Sequence, residues 1–74
     1  MRDSPTGMIE IIVNGEPREV PGGLTLAALL QFLGLDPARL AVELNRRIIQ
    51  KDAWATTPIA AGARLEIVQF VGGG

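Results

Sequence analysis

One stretch limits the possible folds more than any other. Leu26, Leu29, Leu30 and Leu33 recur at intervals of three and four residues after Thr25, the spacing of a single apolar stripe on a short helix. The Thr25 hydroxyl can accept a hydrogen bond from an orphan N–H of the first turn. Gly34 stands where a left-handed C-terminal cap is expected. The spacing therefore predicts a helix over residues 25–33. Most of the remaining apolar residues alternate with polar ones, as strands do. A stripe of this width must be covered by a sheet of several strands, because an isolated hairpin is marginal in water. With 74 residues the chain has room for one such core and no second.

The strands can be placed from turn chemistry. Residues 8–13 put Ile9, Ile11 and Val13 on one face and Met8, Glu10 and Ile12 on the other. Asn14-Gly15 follows, and both residues tolerate positive φ, which makes this the strongest hairpin signal in the chain. Residues 16–20 form the second strand, with Pro17 early, where a missing donor suits a sheet edge. Pro21-Gly22-Gly23 ends the hairpin and lacks the G-x-G-x-x-G spacing of a dinucleotide loop. After the helix, Asp36-Pro37-Ala38-Arg39 reads as a helical turn with Pro at its first position. Residues 41–44 read as a third strand, Asn45-Arg46-Arg47 as a turn and Ile48-Ile49 as a short fourth strand. Residues 51–54 form another helical turn, with Trp54 as a lid over one end of the core. Residues 64–70 are the last strand. The order predicts an α+β fold with a mixed sheet of four to five strands and one main helix on one face. The last strand is expected beside the first and parallel to it, since the connection through the helix is long enough to allow this.

Composition removes whole classes of function. Seven Lys and Arg against eight Asp and Glu leave a net charge of −1 and no evident basic face, so no nucleic-acid partner is expected. The chain has no Cys and no His. It therefore has no disulfide, no thiolate or imidazole metal ligand, and no ordinary general base near neutral pH. An autonomous hydrolase or metalloenzyme is not expected, and no metal site. A domain this small without disulfides is expected in the cytoplasm. The apolar stretch over residues 24–35 falls short of the roughly 20 residues that span a bilayer, so no membrane partner is expected. Residues 1–7 read as a flexible leader, 8–71 as the domain and 72–74 as a flexible tail.

The tail carries the chemistry. The last strand runs into Val71 and then Gly72, Gly73 and Gly74. Glycines in a row hold no fixed shape alone and carry no Cβ, so Gly72 and Gly73 can thread a narrow cleft and Gly74 can present an unhindered carboxylate. The strand before them sends Leu65 and Ile67 toward the helix, which leaves Val68 and Phe70 on the opposite face. Ile12 falls on that face too. An apolar patch of Ile12, Val68, Phe70 and Val71 beside the tail reads as a docking surface for a partner.

Taken together, several stretches give the chain a family likeness. They are Asn14-Gly15, residues 25–30 (TLAALL), residues 41–45 (AVELN), Trp54, and residues 62–74 (GARLEIVQFVGGG). From Met8 to Gly74 the sequence resembles the ThiS-type sulfur carriers of thiamin biosynthesis. That family often has Asp where this chain has Ala63, and residues 1–7 lie outside its pattern. The resemblance implies the ubiquitin-like β-grasp fold. It also implies a protein cosubstrate rather than an enzyme, with no bound cofactor. A ThiF-type adenylating enzyme uses ATP to convert the Gly74 carboxylate to an acyl-adenylate. A sulfur donor protein then supplies the sulfur that displaces AMP and leaves a thiocarboxylate. A ThiG-type thiazole synthase accepts that sulfur. The alternatives within the fold are the small subunit of molybdopterin synthase, which tends to carry Pro before its Gly-Gly where this chain has none, and a ubiquitin-like modifier joined to lysines.

Overall fold

The structure, a computed structural model, describes residues 7–71. The expected flexible leader, residues 1–7, and tail, residues 72–74, lie outside the described residues except for Gly7.

Helix α1 spans Leu26–Phe32 and is capped as its sequence predicts. Thr25 sits in extended backbone, and its hydroxyl accepts from the Ala28 N–H at 3.2 Å. The helix stops because Gly34 takes φ +77°, which a Cβ would disfavour, and its N–H bonds the Gln31 carbonyl at 3.0 Å. Strand β1 is Met8–Val13 and β2 is Glu16–Pro21, joined by Asn14 at φ 51° and Gly15 at φ 83°. Two residues of positive φ give a tight hairpin whose twist suits the flanking strands. Strand β3 is Leu40–Leu44, β4 is Arg47–Ile48 and β5 is Arg64–Gln69. Short 3-10 helices cover Pro37–Arg39 and Lys51–Thr56.

The five strands lie in the order β2-β1-β5-β3-β4. β5 runs parallel to β1, with Ile12 beside Arg64 and Val13 beside Leu65. It runs antiparallel to β3 from Leu44–Leu65 to Leu40–Gln69. The expected mixed sheet and the parallel neighbours are therefore present, with Pro17 on an edge strand. The fourth strand begins one residue earlier than its apolar pair suggests. Asn45 and Arg46 both adopt positive φ, at 50° and 72°, and make a two-residue turn, so pairing resumes at Arg47 instead of Ile48.

One face of the sheet receives the helix. Leu26, Leu29 and Leu30 are buried against Ile11, Val13, Val20, Leu40, Val42 and Leu65. Fully burying a side chain of this size contributes about 1.5–3 kcal/mol, so these few residues carry much of the stability of so small a domain. Leu33 and Ile67 pack on this core but stay half-buried at its margin, Leu33 because it is already the C-terminal cap. Trp54 closes one end as expected, buried, with its indole N–H donating to the Ile49 carbonyl at 2.9 Å. Ala63 is itself buried. Its N–H bonds the Ala60 carbonyl at 3.1 Å and its carbonyl accepts from the Ile12 N–H at 2.8 Å, so the turn closes through backbone alone.

Candidate functional site

The strand that leads to the glycines is held on both flanks by asparagines in left-handed backbone. Asn14 donates its backbone N–H to the Leu65 carbonyl at 2.8 Å, the last rung that β1 can supply. Its side chain then replaces the rung that β1 is too short to make. Oδ1 accepts from the Ile67 N–H at 2.7 Å, and Nδ2 donates to the Ile67 carbonyl at 3.2 Å. On the other flank the Asn45 N–H donates to the Arg64 carbonyl at 2.8 Å, and Asn45 Oδ1 accepts from the Arg64 N–H at 3.0 Å. The Phe70 N–H donates to the Arg39 carbonyl at 2.8 Å. β5 is thus aligned up to the residue before Val71. The amide is the one short side chain that offers a donor and an acceptor together and also tolerates positive φ. From the sequence the first asparagine was legible as a hairpin residue only. Its second role depends on β5 outrunning β1, which becomes visible only with the register.

The face of the sheet away from the helix is open. Register assigns its residues, since directly paired positions point the same way. Val68 pairs with Ala41 and Glu43 pairs with both Glu66 and Ile48, so all five share this face, as does Ile12 beside Arg64. Val68 is 55% exposed, Phe70 54% and Val71 87%, which places three of the four expected docking residues in solvent at the C-terminal end of the described chain. Ile12 is half-buried and is not brought to them. It lies level with Arg64, four residues before Val68 and roughly 13 Å away along the strand. The structure puts Ile48 there instead, 71% exposed. With Ala41, Glu43, Glu66 and Val68 it lines a shallow depression of about 180 Å³. Ile48 escaped the sequence reading because its face depends on the length of the turn at Asn45-Arg46. Gly72, Gly73 and Gly74 lie outside the described residues.

Among the described residues no group of three or more Asp, Glu, His or Cys could hold a metal ion, and no helix is long and apolar enough to cross a membrane. What the geometry offers is a strand hydrogen-bonded on both flanks with an exposed apolar end.

Known proteins place this module. A five-stranded mixed sheet gripping one helix defines the β-grasp class. The crystal structure of the thiamine biosynthesis protein ThiS from Geobacter metallireducens superimposes with a TM-score of 0.78 at 30% identity, covering 89% of this chain and 100% of that one. The model of the ThiS family matches residues 11–74. A thiazole synthase of Paramagnetospirillum magneticum is 41% identical over 66 residues, which are 89% of this chain but 20% of that protein. This chain thus spans about a fifth of that relative's length. An uncharacterized protein, ycf40, of Porphyra purpurea is 35% identical over 89% of this chain and 93% of its own length. The chain belongs to the ThiS family.

Proposed function

We propose that this chain is a sulfur carrier of thiamin biosynthesis and that the Gly74 carboxylate is its working group. The observation that supports the reading is the double clamp on β5, the strand whose exposed Val68, Phe70 and Val71 immediately precede the three glycines in the sequence. A carboxylate is a poor electrophile. In the proposed cycle one of its oxygens attacks the α-phosphorus of ATP in a ThiF-type enzyme, pyrophosphate leaves, and an acyl-adenylate forms. A hydrosulfide-level sulfur from a donor protein then attacks the acyl carbon. AMP departs with the electrons of the C–O bond, and a thiocarboxylate remains. The mixed anhydride is easily hydrolysed, so the partner must shelter it from water. Gly72 and Gly73 admit it to a narrow channel, and Gly74 leaves the carbonyl open to attack. Acids and bases for these steps come from the partner enzyme, since this chain has neither His nor Cys. The thiazole synthase that consumes the sulfur is the proposed acceptor, in keeping with the carrier-like segment present within two bacterial thiazole synthases. Docking uses Val68, Phe70 and Val71, with Ile12 at the far margin of the same face.

The test is intact mass after incubation with ATP, sulfide and the ThiF-type enzyme of the same genome. The proposal expects the gain that accompanies exchange of one oxygen for sulfur, located on Gly74 by fragmentation. An unchanged mass alongside a working control carrier would refute it.

A further inference from the structure

The sheet has two edges, and the sequence guards them unequally. On β2 the Gly22 N–H donates to the Gly7 carbonyl at 2.6 Å. The even-numbered residues of this strand therefore bond β1, and Pro17, Glu19 and Pro21 turn their backbones outward. Two of those three positions have no N–H to offer, one way in which an edge strand avoids recruiting another chain. Residues 40–48 at the other edge include no proline. β4 is only Arg47–Ile48, and its pairing with β3 ends at Glu43–Ile48. The Arg39 carbonyl and the Asn45 N–H bond β5, at Phe70 and Arg64. Alternation then turns the backbone groups of Leu40, Val42 and Leu44 toward the β4 side. Leu44 pairs with Arg47, and the Val42 carbonyl accepts from the Ile49 N–H at 3.0 Å. There the chain is drawn off the edge. The Ile49 carbonyl accepts from the Trp54 indole at 2.9 Å, and a 3-10 helix starts at Lys51. Leu40, in extended backbone at φ −120° and ψ 147°, is left with no strand residue opposite it on this side. Beside it lies a recess of about 200 Å³, lined by Val42, Ile48, Ile49 and Trp54. Its rim is cationic. Lys51 also lines it, exposed, with Nζ 5.6 Å from the centroid of the Trp54 ring. Arg39 and Arg47 are exposed on the flanking segments. The acids of this stretch are Glu43, which shares a separate recess with Arg46 and Arg64, and Asp52.

We infer that this edge receives a short extended segment of another polypeptide. The segment forms main-chain hydrogen bonds with Leu40, seats an apolar side chain in the recess and sets a neighbouring carboxylate at Lys51. Main-chain bonding at a sheet edge supplies affinity, while the pocket and the flanking charge supply specificity. The segment that fits therefore joins an apolar residue to acidic neighbours. A second copy of this chain does not fit. Its own β3 edge carries the same cations, and its β2 edge is closed by Pro17 and Pro21. The inference does not depend on the carrier reading, since neither Gly74 nor the open face takes part.

The experiment titrates the full, isotope-labelled chain with the blocked peptide Glu-Val-Glu-Val-Glu and follows its amide and indole N–H signals. Shifts should centre on Leu40, Val42 and the Trp54 indole, with slower amide exchange at Leu40 and no change along β2. Lys51→Glu should weaken binding roughly threefold to tenfold at low salt and less at high salt, because the charge at the rim is exposed and screened. Two further peptides separate main-chain pairing from simple attraction. The same sequence N-methylated at every amide keeps its carboxylates but loses its donors, and should not bind. Lys-Val-Lys-Val-Lys keeps its donors but reverses the charge, and should not bind either. No binding of the acidic peptide would overturn the inference. So would equal binding of its N-methylated form, or shifts centred on β2 or on the open face.

Discussion

At the scale of single residues, Asn14 joins folding to function. Its backbone closes the β1–β2 turn at φ 51°, and its side chain supplies the rung that aligns β5 beyond the end of β1. Replacing it by Gly keeps the positive φ and deletes both side-chain bonds, which separates the two roles. Hydrogen bonds of this kind contribute about 0.5–1.5 kcal/mol each. Asn14→Gly should therefore lower stability by about 1–3 kcal/mol in denaturant melts and speed amide exchange at Ile67 more than at Ile11. Uniform exchange rates at the two positions would show that the clamp does not hold the strand. Phe70 poses the opposite case. It is 54% exposed and lies outside the buried core, so Phe70→Ala should leave the melting temperature within a few degrees of wild type. As an aromatic anchor it should cost about 2 kcal/mol or more in binding to the ThiF-type enzyme. Equal losses in stability and binding would make it a core residue.

At the scale of elements, the helix and the sheet depend on each other. Leu30 is almost fully buried in the α1 stripe and belongs to one core cluster with residues of β1, β3 and β5. Leu30→Ala removes apolar contact and leaves a cavity, at a cost of roughly 2–5 kcal/mol measured by chemical denaturation. Most of this level was legible in the sequence. The leucine spacing, the Thr25 cap, Gly34 and Asn14-Gly15 act within a few residues of themselves, and each fixed its element correctly. The parallel pairing of β1 and β5 followed from the length of the connection. Quantities set by distant partners were not legible. The start of β4 turned on two left-handed residues, Asn45 and Arg46, of which Arg46 carries no local signal for that conformation. The exposure of Ile48 and the separation of Ile12 from Val68 followed from register, which alternation alone leaves free to slide.

At the scale of the whole molecule, the two faces of the sheet differ. The helix side is closed by the leucine stripe and Trp54, and the open side carries the exposed Ile48, Val68 and Phe70. The central claim is that the Gly74 carboxylate is the group acted upon. Gly73→Val would narrow the fit of the tail without removing that carboxylate, and should suppress turnover while the melting curve stays that of wild type. Appending one residue after Gly74 tests the claim most directly. It leaves every packed side chain in place but moves the carboxylate past the point where ATP is held, and productive attack needs reacting atoms within about 3–3.5 Å. The measurement is pyrophosphate release from ATP by the ThiF-type enzyme, with the native chain and the extended chain side by side and thermal melts of both. The account predicts release with the native chain, none with the extended one, and identical melting. Equal release from the folded, extended chain would contradict it, because the reacting group would then not be Gly74.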